Sequence, residues 1–254
     1  MCDREIVRSR DLDIFLRLGV AADESDRTLF MLGGRPADVS WLIDFVERNS
    51  PDIWAIDSGV AACRAIGRIP SELIGDKDSS LPGDWIWALE GGAREHLHQR
   101  DKDMTDFQIA FDMFMDDADK RVRGERILML SGCFGGRMDH LMSNLLTLAL
   151  SDGVETSGER NRVSRCMIDE HEGVFLIYPE VSASIKFHTP PVSVSLLPMS
   201  DFCRGVSVSG VRWPLEDTLL RRGFPWAISN EVSDDLVSVR CEDGILALYW
   251  CFGI

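Results

Sequence analysis

IWAIDSGVAACRAIGRIPSELIGDKDS, residues 53–79, is the stretch on which the fold turns. Ile53 to Ile56 is a short apolar run that reads as a strand and delivers Asp57 at its tip. Gly59 to Ile66 reads as a short helix closed by Gly67, and Glu72 to Ile74 as a second strand running directly into Gly75-Asp-Lys-Asp-Ser79. Strand, helix and strand in this order make a βαβ unit of a largely parallel sheet. Parallel strands bring their carboxyl ends to one edge, where open α/β folds bind ligands. Asp76 and Asp78, beside a glycine and a hydroxyl, form a hard, oxygen-rich group suited to Mg²⁺. An extended backbone would point both carboxylates to the same side. Aspartate, glycine and serine are also ordinary turn formers, so a solvated loop is the competing reading.

Working outward, Leu29 to Leu32 reads as a strand ending in Gly33-Gly34. Ser40 to Arg48 reads as a helix with Trp41, Leu42, Phe45 and Val46 on one face, capped by Asp38 or Ser40 and followed by Pro51. The spacing of Phe107, Ala110, Phe114 and Ala118 predicts a helix over Asp106 to Lys120, with Thr105 and Gln108 as its capping box. Ile127 to Leu130 reads as a buried strand, Ser131 to Gly136 as its glycine-rich exit, and Met138, Leu141, Leu145 and Leu148 as the stripe of the next helix. Glycine before a helix start lets backbone amides approach an anion.

Residues 151–165 are polar and rich in Ser, Gly, Glu and Arg, and read as a linker. Beyond it come short β-type segments, Val174 to Tyr178, Ser182 to His188, Val192 to Leu197, Val206 to Val208, Leu236 to Arg240 and Ile245 to Trp250. The expected fold is therefore an open, mostly parallel α/β sheet over 29–150 followed by an all-β sandwich over 166–254. Residues 1–28 are left as an N-terminal extension without a role.

The chain holds 42 acidic and 27 basic residues, a formal charge of −15. Such a surface repels nucleic acid and anionic lipid, so neither is expected as a partner. A nucleotide site would need a metal and a local cation such as Arg137. The 7 cysteines show no C-x-x-C spacing, which argues against zinc and a disulfide framework and for buried thiols in a reducing compartment. No apolar run approaches the length of a spanning helix, and Met1 to Arg10 lacks a secretory apolar core, so the expected location is cytoplasmic.

Other residues admit two readings each. Asp101, Asp103 and Asp106 either favour a helix dipole or serve a metal or nucleotide, with Lys102 offsetting their repulsion. Gly135-Gly-Arg-Met-Asp-His140 fits neither generic nucleotide fingerprint, yet Arg137 at a helix start suits a phosphate fork, while His140 reads as a packed or surface histidine. Trp213 reads as a core or interface aromatic, and Ser229-Asn230 as a turn. No Ser-His-Asp or Cys-His constellation is justified.

Taken in order, Ile56-Asp-Ser-Gly59, Gly75 to Ser79, Lys102 to Asp106, Gly135 to His140 with Asn144, Ser209 to Pro214 and Ser229-Asn-Glu231 resemble the motifs of the thiamine pyrophosphokinase family. The resemblance implies an α/β domain and a β-sandwich in a homodimer with active sites between the chains. It implies transfer of the β,γ-pyrophosphoryl group of ATP to the primary alcohol of thiamine, releasing AMP. By position it makes Asp57, Asp76, Asp78 and Asp106 the Mg²⁺ ligands, and Asp76, Asp78 and Asp106 the catalytic residues, without identifying a general base. Thr105, Arg137 and Asp139 would place ATP, and Trp213, Ser229 and Asn230 would line an acidic, aromatic thiamine pocket. Ser58, Lys77 and Ser209 depart from the family pattern. Ser58 matters if the backbone there needs a positive φ, and Lys77 adds a cation beside the acids. Open alternatives are a pyrophosphokinase acting on another alcohol such as a hydroxymethylpterin, a kinase of the NAD-kinase type, and a sensor without turnover.

Overall fold

The computed structural model describes residues 2–18, 26–98, 103–120, 126–150, 163–179, 181–224 and 226–253. In chain order the elements begin with β1 (Cys2–Arg8), β2 (Leu12–Leu18), β3 (Asp26–Met31), α1 (Val39–Asn49), β4 (Asp52–Ile56) and α2 (Val60–Ala65). Then come β5 (Glu72–Gly75), α3 (Pro82–Glu90), β6 (Arg94–Leu97), α4 (Asp106–Lys120), β7 (Arg126–Ser131) and α5 (Met138–Leu150). Strands follow, β8 (Val163–Ile168), β9 (Glu172–Ile177), β10 (Ser182–Phe187) and β11 (Ser193–Pro198). The chain closes with β12 (Phe202–Ser209), β13 (Leu215–Arg221), β14 (Leu236–Arg240) and β15 (Leu246–Cys251). Two compact units result: Glu24–Asp169, and Met1–Asp23 joined with Glu170–Ile254.

In the first unit the strands lie in the order β8-β7-β3-β4-β5-β6, and every pair is parallel. β4, β5 and β7 are buried along nearly their whole length, as a sheet covered on both faces requires. Phe30 and Trp54 are partners in register, and their rings stack at 5.2 Å. Phe114 and Phe107 of α4 meet Phe30 edge-on at 5.9 and 6.3 Å, so the stripe read from sequence is what docks this helix. Asp38 caps α1, accepting the Trp41 amide at 2.9 Å. Thr105 and Gln108 close the reciprocal capping box of α4 at 2.9 and 3.1 Å.

α3 and β6 lay outside the sequence reading. α3 begins with Pro82 in its first turn and stops at Gly91, while β6 is a polar, largely exposed edge strand without hydrophobic alternation. Most of the stretch read as a linker, residues 151–162, falls outside the described residues, as do Asp101 and Lys102. Val163 to Arg165 already belong to β8, a strand of the first unit.

The second unit is antiparallel β. One sheet runs β1-β2-β10-β14-β12-β13, and the other strands pair as β11-β15-β9. β1 and β2 form a hairpin whose second strand pairs with β10, Ile14 against Ile185. Ile6, Leu12, Ile14 and Leu16 are buried, so the stretch read as an extension supplies two core strands to a sheet otherwise built from the chain's second half. Cys63, Cys133, Cys166, Cys203 and Cys241 are buried free thiols. Burial pushes Cys63 and Cys166 up to about 12, which leaves them inert packing residues. Among the described residues no helix is long and apolar enough to cross a membrane.

Candidate active site

The first unit's loops converge along the carboxyl edge of its parallel sheet. Asp57 leaves β4 with φ 50, a left-handed conformation that costs a non-glycine residue roughly 1 kcal/mol or more. A single 3-10 turn over Asp57–Gly59 follows. A Cβ on Gly59 would sit 1.9 Å from the Met31 carbonyl oxygen, so only glycine lets this turn lie on β3. Ser58 is not among the positive-φ residues, and Gly33 makes room for its hydroxyl. A serine is therefore accommodated at this position.

Gly75 has φ 149, and a Cβ there would lie 2.2 Å from Asp57 Oδ1. The missing side chain brings the Asp57 carboxylate onto the start of the Gly75 to Ser79 loop, and Asp57 Oδ1 is buried there. The loop itself is not extended. Lys77 is left-handed at φ 69, and the Asp78 amide donates to Asp76 Oδ1 at 3.0 Å. Of the two readings of this stretch the structure shows the loop and not the extended one: a left-handed residue between Asp76 and Asp78 turns the chain and breaks the strand period.

Asp106 is the first residue of α4, and the hydroxyl of Thr105 is engaged in the capping box. Arg137 grips Asp139 with two nitrogens, Nε at 3.0 Å from one carboxylate oxygen and Nη2 bonded to the other. The guanidinium is the main cause that holds the Asp139 carboxyl down at about 2. The carboxylate therefore stays ionised across the physiological range, and the pair loosens only as pH falls below the ordinary carboxylate value toward 2. Gly132, Gly135 and Gly136 all have positive φ in the loop that carries Arg137.

Two further residues shape this edge. The amides of Gly34 and Arg35 donate to the carbonyls of Gly132 and Phe134 at 2.6 and 2.7 Å, joining the loops after β3 and β7 where the strand order reverses. Arg35 Nη2 lies 2.6 Å from Asp169 Oδ2, a carboxylate buried just past the tip of β8. Sequence reading missed both; the one available signal was an arginine directly after a strand-ending Gly33-Gly34. Among the described residues no group of three or more His, Cys, Asp or Glu side chains closes a metal site, so the structure joins Asp57 to the Gly75 loop without gathering all four predicted aspartates on one point.

The second unit contains a cavity of about 320 Å³ lined by Val194, Val211, Trp213, Trp226, Leu248 and Asn230, among others. Asn230 braces Trp213: its Oδ1 accepts the Trp213 amide at 3.1 Å, and its Nδ2 donates to the Trp213 carbonyl at 2.8 Å. Ser229 does not line the cavity; its backbone is left-handed at φ 58, and its amide donates to Ser195 Oγ at 3.0 Å. Among the described residues this cavity is lined by aromatic and aliphatic side chains with Ser195 and Asn230 as its polar members. Trp226, which no local motif singles out, is a second indole in its wall.

Comparison with known proteins covers both units. Residues 45–156 match the family model described as thiamin pyrophosphokinase, catalytic domain, and residues 184–246 match thiamin pyrophosphokinase, vitamin B1 binding domain. The chain belongs to the thiamin pyrophosphokinase family. The first match spans Asp57, the Gly75 loop, Asp106 and Arg137, and the second spans the cavity residues Trp213 and Asn230. Thiamine pyrophosphokinase of Bacillus subtilis is 23% identical over 87% of this chain and 97% of its own length. The Bacillus subtilis crystal structure has a TM-score of 0.72 at 22% identity, covering 90% of this chain and all of that one. Thiamin pyrophosphokinase from Candida albicans has a TM-score of 0.70 at 14% identity over 99% of both chains. At such identities the structural likeness concerns the thiamin pyrophosphokinase fold.

Proposed function

We propose that the chain transfers a pyrophosphoryl group from ATP to the hydroxyethyl alcohol of thiamine, giving thiamine diphosphate and AMP. One coincidence carries the reading: a carboxylate-bearing, glycine-lined sheet edge falls within the catalytic-domain match, and an aromatic cavity falls within the vitamin B1 binding match. Incubation with ATP, Mg²⁺ and thiamine, followed by identification of the nucleotide product, tests it. AMP with thiamine diphosphate is expected; ADP would mean a simple kinase, and binding without turnover a sensor.

Magnesium suits the donors at this edge. All are carboxylates, and Asp57 Oδ1 is buried beside a glycine that leaves space for it. Magnesium usually keeps several waters and takes one or two carboxylates with substrate phosphates, so it does not require a closed protein cage. Asp57, Asp76, Asp78 and Asp106 are the proposed ligands. When bound, the ion supplies charge neutralisation at the phosphates. Arg137 is the proposed phosphate fork, and an incoming phosphate must compete with Asp139 for it. No covalent enzyme intermediate is needed, because orienting the alcohol in line with departing AMP is work for positioning groups.

In the cavity, Trp213 offers a planar face to the substrate's rings while Asn230 holds its backbone still. Trp213→Ala should raise the KM for thiamine about tenfold, the size of one lost aromatic contact, and leave the KM for ATP unchanged. Equal rises in both would argue against a thiamine contact. A homodimer with active sites between the chains belongs to the same proposal, and sedimentation velocity tests the dimer. The buried, unbridged thiols accord with a reducing, cytoplasmic setting.

A further inference from the structure

A lysine between two proposed magnesium ligands should compete with the metal for them. Lys77 instead turns to other partners. Its Nζ lies 2.7 Å from Glu95 Oε1 on β6 and 5.5 Å from the centre of the Trp85 ring on α3. The Trp85 indole donates to the same Glu95 Oε1 at 2.6 Å. Trp85 is buried, which anchors one corner of this triangle in the core. Lysine, glutamate and tryptophan thus tie the loop after β5 to its neighbouring helix and edge strand.

The tie acts on the residue whose backbone sets the loop. Lys77 is held in a left-handed conformation that its side chain alone does not favour, and that turn lets the Asp78 amide reach Asp76. We propose that the Lys77–Glu95–Trp85 clasp positions the metal loop: it withdraws the Lys77 charge from Asp76 and Asp78 and holds their turn ready for a divalent cation carrying a triphosphate. Lys77 and Glu95 are positioning residues here, acting through the two aspartates. An exposed ion pair contributes little to global stability, so the clasp's effect belongs in ligand affinity rather than in folding. The inference rests on the magnesium assignment made above.

Mn²⁺ uptake by the full-length protein in the presence of ATP tests it, read as the loss of the free Mn²⁺ electron paramagnetic resonance signal beyond that caused by the same ATP without protein. Lys77→Met and Glu95→Ala should each weaken uptake about tenfold, the usual consequence of removing a partner that orients a ligand. Lys77→Arg should restore most of it, and the KM for thiamine and the melting temperature should hardly move. Wild-type uptake in both Lys77→Met and Glu95→Ala overturns the clasp alone. A wild-type protein that takes up no Mn²⁺ with ATP overturns the magnesium assignment and the clasp with it. If Lys77→Met fails to fold, Glu95→Ala carries the test, since it leaves the loop sequence intact.

Discussion

Asp57→Asn should reduce formation of thiamine diphosphate by about 10²–10³-fold while leaving the melting temperature nearly unchanged. The substitution is unusually clean at this position. Asn has the size of Asp and tolerates the left-handed backbone found at φ 50, so the turn from β4 survives and only the negative charge is removed. Asp57 Oδ1 is buried where the sheet edge meets the Gly75 loop, and a neutral amide there cannot match a divalent cation. Raising Mg²⁺ should recover part of the lost rate, because weakened metal affinity can be offset by concentration. Full activity with unchanged Mg²⁺ dependence would remove Asp57 from the proposed ligand set. The same assay on Asp78→Asn asks the question of the exposed member of the loop, where a metal role predicts a loss of the same kind.

Gly75→Ala should damage both turnover and folding. The new Cβ would fall 2.2 Å from Asp57 Oδ1, and φ 149 is a conformation side chains rarely adopt. Either the Asp57 carboxylate swings away or the end of β5 shifts. Loss of activity comparable to that of Asp57→Asn is expected, with destabilisation of about 1–3 kcal/mol in denaturant unfolding. The double variant Gly75→Ala with Asp57→Ala separates the two causes. Removing the Asp57 carboxylate removes the clash, so part of the stability should return, whereas activity should not. Additive stability losses in the double variant would mean that the contact between these positions is not what excludes a side chain.

Much of the α/β unit was legible because its signals are local. Strand tips, the Asp38 cap, the Thr105 and Gln108 box and the aromatic stripe of α4 each depend on residues within a few positions of one another, and each reads the same in the fold. Polar edge strands carry no such signal. β6 is held by its neighbour β5 and has no buried face to alternate, so its sequence resembles loop. β13 is similarly exposed along most of its length and was missed for the same reason. The hairpin of β1 and β2 alternates well enough, yet its partner β10 lies more than 160 residues away in sequence, and no local rule points there.

The candidate site divides along the same line. Composition, spacing and the resemblance they support were enough to name the family, to choose Asp57, Asp76, Asp78 and Asp106 as acids at strand ends or helix starts, and to choose Trp213 as an aromatic of the β half. The positions at strand ends and helix starts follow from local pattern, whereas the roles of the four aspartates and of Trp213 are what the family resemblance implies. Only tertiary structure decided how the acids stand: a glycine without a side chain against Asp57, a left-handed lysine between Asp76 and Asp78, and a clasp drawing that lysine toward Glu95 and Trp85. It likewise brought Asp169 to Arg35 and Trp226 into the cavity wall with Trp213. Backbone sign and contacts between distant segments are set by packing against neighbours, and neighbours exist only once the chain has folded.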